Sequence, residues 1–558
     1  MAPVLSLDGK TLYVCNRFDN DVSIIDLAGW AGAENGRKEG ATAGVGNRGS
    51  TPQIARFQER SRAGSETSAP REIYRIPVRR EPVAADITKD GRFLLVADEL
   101  PAGRADVENV AAVVSVIDLA ARKVAKEIQL PNGSGSLKYL RISPDGRYAA
   151  VTHIVSSFSR ATTKVQFGWM NANALTVIDI GRLEVAFSVL LDEPNHGAAN
   201  PWGDAWSPDG KVLAVAHAGT DEISLIDFPL LLSNFLAFAK DRARTAKPVL
   251  TYISHYEGMD PGLPFLTGAR VRVKLPEGDL GPRSLVFAGR TLYVANYYSD
   301  TISVIDVDSS RVGDRRSGGE ALLTPCAKAS IPVGPRTIMD AVRKGDYYFH
   351  DGNLCFQGWQ SCASCRPNDA RVDGFNWDLL NDGIGNPKST RSLLLSFQTP
   401  PSMFLGVRTN AATAVRAGLK YILFTNAPEE VAKSIDAYLQ SLKPVPSPHL
   451  VHGKLSESAK RGKKIFRSVG CADCHVPGLF TDLKPHDVGT RRTFDGTNDK
   501  FYTPTLIEVW RTAPYLHDGS AATMRDVLTA RNPNNEHGAS KDLSEQELND
   551  LCEYVLSL

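Results

Sequence analysis

The sequence predicts a multidomain chain: an all-β domain of repeated small sheets over residues 1–334, then two all-α domains over 335–445 and 455–558. Three observations carry this. One turn–strand–strand pattern recurs five times in the first 310 residues. A helical pattern containing C-x-x-C occurs twice in the remainder. The length of 558 residues points to three or four domains at roughly 150 residues each, more than one hydrophobic core organises.

The β half is built from a repeating unit. A turn (LDG at 7–9, KDG at 89–91, PDG at 144–146, PDG at 208–210, AGR at 288–290) leads into an apolar strand. Those strands are LYVCN, LLVAD, YAAVTH, VLAVAH and LYVAN, each followed by a second: VSIID, VSVID, LTVID, ISLID and ISVID. A third run such as YRIPV, KEIQLP or ASIPV often follows. Asp-Gly turns between β-branched runs are hairpin signals. One such sheet cannot bury its own faces, whereas radial stacking buries both, which predicts a β-propeller. These repeats resemble the YVTN family of propellers. The chain opens in mid-unit, so either the late strand ASIPV (329–333) completes the first blade or upstream blades lie outside this sequence. Two insertions interrupt the repeats, a Gly/Ser/charge-rich loop at 29–70 and a segment at 228–270 that begins with an apolar helical stretch.

The helical half repeats itself. AVRKGDYYF (341–349), CASC (362–365) and EEVAKSIDAYLQSL (429–442) correspond to SAKRGKKIF (458–466), CADCH (471–475) and EQELNDLCEYVLSL (545–558). Gly345 and Phe349 match Gly462 and Phe466 in spacing, and Val431, Ile435, Tyr438, Leu439 and Leu442 recur at helical intervals. The Pro-rich KPVPSPH (443–449) links the copies.

CADCH carries the chemistry. C-x-x-C-H is the attachment signature of a c-type haem: two thiols one helical turn apart reach vinyl groups on one porphyrin edge, and His475 follows as an imidazole ligand. A thioredoxin-like motif would need a βαβ setting, and a zinc site a second Cys or His pair nearby; neither is present. In the first copy Cys362 and Cys365 are followed by Arg366, which has no lone pair to offer iron. A ligand for that site would have to come from elsewhere; His350 and Met403 are candidates, but His350 is read as an ordinary exposed histidine and Met403 as core packing. Without haem, Cys355, Cys362 and Cys365 form a cluster able to make a disulfide.

Two such domains in tandem resemble the di-haem cytochrome c peroxidase/MauG superfamily. CFQGWQSCASC, VDGFNWDLLNDGIGNPKSTRSLLLSFQTPPSMFLGVR, TDLKPHDVGT and FYTPTLIEVWRTAPYLHDGSAATMRDVL are similar in particular to a branch with an N-terminal YVTN propeller. The resemblance implies a peroxidatic haem in the first domain and an electron-accepting haem in the second, joined by a tryptophan, for which Trp377 and Trp510 are candidates. It also implies a Ca2+ ion held partly by carbonyls around Thr503 to Thr505. In related proteins a Met past the PYxHDG stretch is the sixth ligand; His537 stands in a comparable place and is assigned that role ahead of Met524, His517 and Tyr515. His486 is assigned to orienting a propionate or a loop, and His153, His196, His217 and His255 are assigned structural roles. The site residues are therefore Cys471, Cys474, His475 and His537, with Cys362 and Cys365 at a doubtful second covalent haem c.

The expected function is periplasmic c-type haem redox chemistry, electron transfer with peroxide or protein oxidation, impaired by Arg366 at the first site. The alternative is a non-catalytic electron carrier whose propeller docks a partner. The expected partners are a small redox protein as donor or acceptor, and hydrogen peroxide. With 64 Lys+Arg against 63 Asp+Glu the net charge of +1 argues against nucleic-acid binding. The best apolar run, FPLLLSNFLAFA (228–239), is short of the roughly 18 residues a membrane span needs. MAPVLSLDGKTLYV has no signal-peptide pattern, so export requires a leader missing from this sequence.

Overall fold

A computed structural model describes residues 3–28, 69–158, 161, 170–245, 265–307, 327–335, 337–379 and 385–558. Most of the 29–70 insertion, the middle of the 228–270 insertion and His255 lie outside them.

Twenty strands form five four-stranded antiparallel meanders in chain order. Sheet one contains β1 (Val4–Leu5), β2 (Thr11–Asn16), β3 (Asp21–Asp26) and β4 (Arg71–Pro77). Sheet two contains β5 (Arg80–Ile87), β6 (Phe93–Leu100), β7 (Val113–Asp118) and β8 (Lys123–Gln129). Sheet three contains β9 (Ser134–Ile142), β10 (Tyr148–Ser156), β11 (Asn171–Asp179) and β12 (Glu184–Leu190). Sheet four contains β13 (Pro201–Trp206), β14 (Val212–His217), β15 (Glu222–Asp227) and β16 (Arg270–Lys274). Sheet five contains β17 (Pro282–Ala288), β18 (Thr291–Asn296), β19 (Thr301–Asp306) and β20 (Ala327–Pro332).

The repeated turn explains the repeated register. In four sheets a Ser or Thr hydroxyl donates to the turn aspartate two residues on: Ser6 to Asp8, Thr88 to Asp90, Ser143 to Asp145 and Ser207 to Asp209, at 2.6–2.7 Å. The following glycines, Gly9, Gly91, Gly146 and Gly210, take φ of 69–78°, a left-handed conformation that favours Gly. The aspartate closing each V/L-I-D run then pairs with the first residue after the turn: Asp26 with Thr11, Asp118 with Phe93, Asp179 with Tyr148, Asp227 with Val212, Asp306 with Thr291. A one-residue slip would exchange the two buried faces, putting Leu94 and Val96 where Leu95 and Ala97 pack, so this register is specified by fit on both sides.

Two expectations are corrected. Each sheet has a fourth strand that precedes the turn, and even the first sheet has one, the two-residue β1. These first strands pack sheet against sheet, β5 on β9, β9 on β13 and β13 on β17. Crowded from both sides, sequences such as PWGDAW and SGSLKYLRI carry Gly, Pro and charge instead of the alternation that marks a half-exposed strand. The late strand, in turn, pairs with β19 inside sheet five and does not close sheet one.

Helix α1 (Phe228–Thr245) leaves sheet four and packs between sheets three and four through Phe228 on Trp206 (4.7 Å) and Phe235 on Phe187 (4.5 Å). The first helical domain has α2 (Ala341–His350), α3 (Cys362–Cys365), α4 (Pro367–Ala370), α5 (Ala411–Tyr421) and α6 (Glu429–Ser441). The second has α7 (Glu457–Ser468), α8 (Cys471–Cys474), α9 (Met524–Leu528) and α10 (Glu545–Leu556). Among the described residues no helix is long and apolar enough to cross a membrane.

The duplication seen in the sequence is a duplication of packing. α2 crosses α6 at Gly345, where a Cβ would overlap the Ser434 carbonyl and Tyr438 Cβ. α7 crosses α10 at Gly462, where it would overlap the Asp550 carbonyl and Tyr554 Cβ. Phe349 meets Tyr438 at 5.4 Å and Phe466 meets Tyr554 at 5.3 Å, so each crossing is closed by the same aromatic pair. Gly462→Ala forces these helices apart and should cost about 1–3 kcal/mol, read as a lower denaturation midpoint with unchanged slope.

The two helical domains are joined by a matched pair of backbone hydrogen bonds. The Ser389 amide donates to the His517 carbonyl (2.7 Å), and the equivalent Tyr502 amide donates to the Phe404 carbonyl (2.9 Å). Glu508, buried, adds a third tie: it accepts from Arg371 Nε (2.5 Å) and Nη2 (3.1 Å) in the first domain and from the Val445 amide (2.6 Å) in the linker.

Candidate functional site

The second C-x-x-C lies on the single turn α8, started by Gly470 at φ 84° and ended by His475, whose amide donates to the Cys471 carbonyl at 2.9 Å. His475 Nδ1 lies 3.0 Å from the Phe480 carbonyl. A carbonyl only accepts, so Nδ1 carries the proton and Nε2 keeps its lone pair free for a metal. Burial lowers the His475 pKa and holds the ring neutral, the state a ligand needs.

His537 faces it, the two ring centroids 6.4 Å apart. Metal–imidazole bonds of about 2.0 Å, with each nitrogen about 1.1 Å from its ring centre, would put two imidazoles on one metal roughly 6.2 Å apart. The gap therefore fits a single iron. His537 Nδ1 is buried with no hydrogen-bond partner, and burial together with His475 pushes this ring down to about 4. Its loop is held by Asn532, buried, which accepts from the His537 amide (2.8 Å) and donates to the Gly538 carbonyl (2.7 Å) and Ser540 Oγ (2.9 Å). Gly538 also lets the loop approach Cys471: an added Cβ would stand 3.4 Å from its Sγ. Cys471, Cys474, His475 and His537 thus come together, with Asn532 as the support the sequence reading missed. An N-x4-H-G spacing was its one visible trace.

The rival sixth ligands have other partners, with Met524 and Tyr515 in the same apolar cluster as Cys471. Met524 is in the core. The Tyr515 hydroxyl donates to the Val509 carbonyl at 3.3 Å. His517 stacks on Phe501 at 3.8 Å and bonds Asp495 at 2.9 Å. His486 bonds Asp482 at 2.7 Å and so fixes the loop after the motif. Cys474, Asp482 and His486 also bring ligand atoms within 4.8 Å of one another. Cys474 is shared between the two constellations, so thioether formation there removes the thiolate that this trio would need.

The first C-x-x-C is built differently. α3 is closed by a capping box between Ser361 and Ser364. Arg366 stands where His475 stands in the second copy, and its Nε donates to the Arg391 carbonyl at 3.3 Å. Arg391 donates to the Met403 carbonyl (2.9 Å) and is lowered to about 10 by burial and by the Arg366 charge. Two guanidiniums therefore stand beside the position that His475 holds in the second copy, and neither could ligate iron. His350, expected as an exposed residue, is mostly buried, with Nδ1 near the Asp346 carbonyl (2.9 Å) and carboxylate (3.1 Å). Met403 sits at φ 73°, matching Leu516 at 72° in the second copy. Cys355, Cys362 and Cys365 are all free, so the alternative disulfide is not formed. Burial pushes the Cys362 thiol up to about 11 and Cys365 up to about 12.

Asparagines from sheets three and four seat this motif, a role the sequence did not reveal. Asn200 donates to Ser361 Oγ (2.8 Å) and accepts from Ser364 Oγ (2.9 Å). Asn173 donates to the Trp359 carbonyl (3.0 Å), and Asn171 to Gln360 (2.9 Å) and Cys365 Sγ (3.3 Å). Trp377 is buried and donates to Asp373 at 2.8 Å. Trp510 instead packs on Phe18 of the sheet domain at 5.4 Å. The Thr503 carbonyl accepts from Thr481 Oγ1 at 2.7 Å. His153 and His217 are buried hydrogen-bonding residues, on Thr176 and Ser224, both at 2.7 Å.

A family model described as cytochrome c matches residues 459–558. Hydrazine synthase subunit gamma of Kuenenia stuttgartiensis is 30% identical over 276 residues, covering 39% of this chain and 78% of that protein. The methylamine utilization protein MauG of Methylophilus methylotrophus is 25% identical over 273 residues, covering 40% of this chain and 82% of that protein. Among solved structures, a Kuenenia stuttgartiensis hydrazine synthase chain is 28% identical over 39% of this chain and 87% of that one, with a TM-score of 0.36. A C-x-x-C-H turn inside a duplicated helical domain and these relatives agree: the chain belongs to the di-haem cytochrome c peroxidase/MauG superfamily, and its cofactor is covalent haem c.

Proposed function

We propose that this chain is an exported electron-transfer protein whose haem is attached at Cys471 and Cys474 and ligated by His475 and His537. The single observation that carries the reading is the pair of neutral imidazoles facing each other at 6.4 Å. Bound haem supplies a one-electron couple, tuned by its axial ligands and surroundings. The chain's own residues do the rest. Phe480 sets the His475 tautomer, Asn532 fixes the His537 loop, and two protein ligands leave no open position for peroxide. At the first site Arg366 and Arg391 replace the proximal imidazole, so the peroxide or protein oxidation of the superfamily is weak here. The sheet domain serves as the docking platform for a small redox protein. Periplasmic placement follows from the thioether chemistry, which needs haem and reduced thiols delivered together.

Matured protein should contain one haem per chain by pyridine haemochrome assay. Arg366→His should raise this toward two and add peroxidase activity with a reduced cytochrome c donor. Two haems in the unmodified chain, or brisk peroxide turnover by it, would refute the carrier reading.

A further inference from the structure

We infer that the cavity enclosed between the sheets and the first helical domain binds a small organic anion through Arg283. The cavity measures about 560 Å3, within the roughly 300–1,000 Å3 usual for small-molecule sites. Its walls are the first strands of sheets two to five, and its roof is formed by α2, α3 and α4. Cys362, Cys365, Arg366 and Arg391 do not line it, whereas Ala363 does, so it lies behind the first motif and apart from its thioether side.

The charge on the lining is not balanced. Arg17 pairs with Glu81 and Glu99, Lys138 shares Glu99, and Asp346 lies 3.1 Å from His350 Nδ1. The lining carries four cations, Arg17, Lys138, Arg141 and Arg283, against three carboxylates, Glu99, Asp346 and Asp369. The Arg283 guanidinium is clamped between Tyr297 (3.7 Å) and Trp202 (4.3 Å) and donates through one Nη to the Tyr298 hydroxyl (3.1 Å). Such a pre-oriented fork with spare donors matches a carboxylate. Tyr297, 46% exposed, forms the rim through which a ligand would enter. The ligand is accordingly a small molecule with a planar oxyanion head, either an organic carboxylate or an inorganic oxyanion of the same shape.

The test is calorimetric titration of the matured full chain with benzoate, benzamide and nitrate. Benzoate should bind and benzamide should not. Arg283→Gln should weaken benzoate at least tenfold, and Arg141→Gln provides a second reading should the first variant fold poorly. Displacement of benzoate by nitrate would identify an inorganic oxyanion as sufficient; failure to displace would assign the site to organic carboxylates. Equal binding of benzoate and benzamide, absence of binding by all three at millimolar concentration, or wild-type affinity in both variants would overturn the inference.

Discussion

Replacing His537 by methionine should shift the reduction potential upward by on the order of 0.1 V, a fraction of the roughly 0.8 V range that axial ligands span. Imidazole is the stronger donor to oxidised iron and methionine favours the reduced form, so exchanging one for the other moves the couple in one direction only. His537→Ala should act differently: with one protein ligand removed, the low-spin visible spectrum is lost and exogenous imidazole restores it. The haem stays bound in both variants, because Cys471, Cys474 and His475 are untouched. Asn532→Ala should give a mixture of the wild-type and His537→Ala spectra, since Asn532 holds the loop and not the metal. The 6.4 Å spacing of the rings makes these expectations specific to His537. A His537→Ala spectrum identical to wild type would move the sixth ligand elsewhere.

Glu508→Leu should destabilise the joint between the helical domains by about 3–5 kcal/mol, the usual cost of stripping one partner from a buried ion pair. Glu508 and Arg371 have side chains only 1% and 3% exposed, so water cannot replace the lost carboxylate. The Val445 amide loses its acceptor in the same step. Arg511, 3.8 Å from Glu508, is left with Glu81 alone, also at 3.8 Å. The double variant Arg371→Met/Glu508→Leu should recover much of the loss, because it leaves fewer uncompensated buried charges. Chemical denaturation followed by tryptophan fluorescence reads both changes. Equal stability of Glu508→Leu and wild type would show the pair to be dispensable.

Local chemistry was legible and long-range support was not. The Asp-Gly turns announced four of the five sheets because each is a contiguous signal, with a left-handed Gly following an Asp that captures a hydroxyl two residues earlier, and the strands around Gly289 announced the fifth. The first strands escaped notice because their neighbours are other sheets, so no solvent face imposes alternation on PWGDAW or SGSLKYLRI. Gly345 and Gly462 were visible as a matched spacing, but only the crossing of two helices shows why neither tolerates a side chain. At the site, Cys471, Cys474 and His475 form one continuous motif, while His537 lies 62 positions after His475 and was reached by resemblance. Asn171, Asn173 and Asn200 gave no signal at all. Their partners are some 160–190 residues downstream, and nothing local distinguishes a docking asparagine from one in a turn.

That seating of the first motif has a consequence for biogenesis. Thioether formation is carried out on a chain segment open enough to admit a ligase and a porphyrin, yet Ser361, Ser364 and Cys365 are locked onto Asn200 and Asn171 in the finished protein. Any modification of Cys362 and Cys365 must therefore precede assembly of the two halves. Among the described residues Asn532 and His537 make no hydrogen bond to the sheets, so the second motif can be loaded later, and the order of the two events is written into which asparagines face which cysteine.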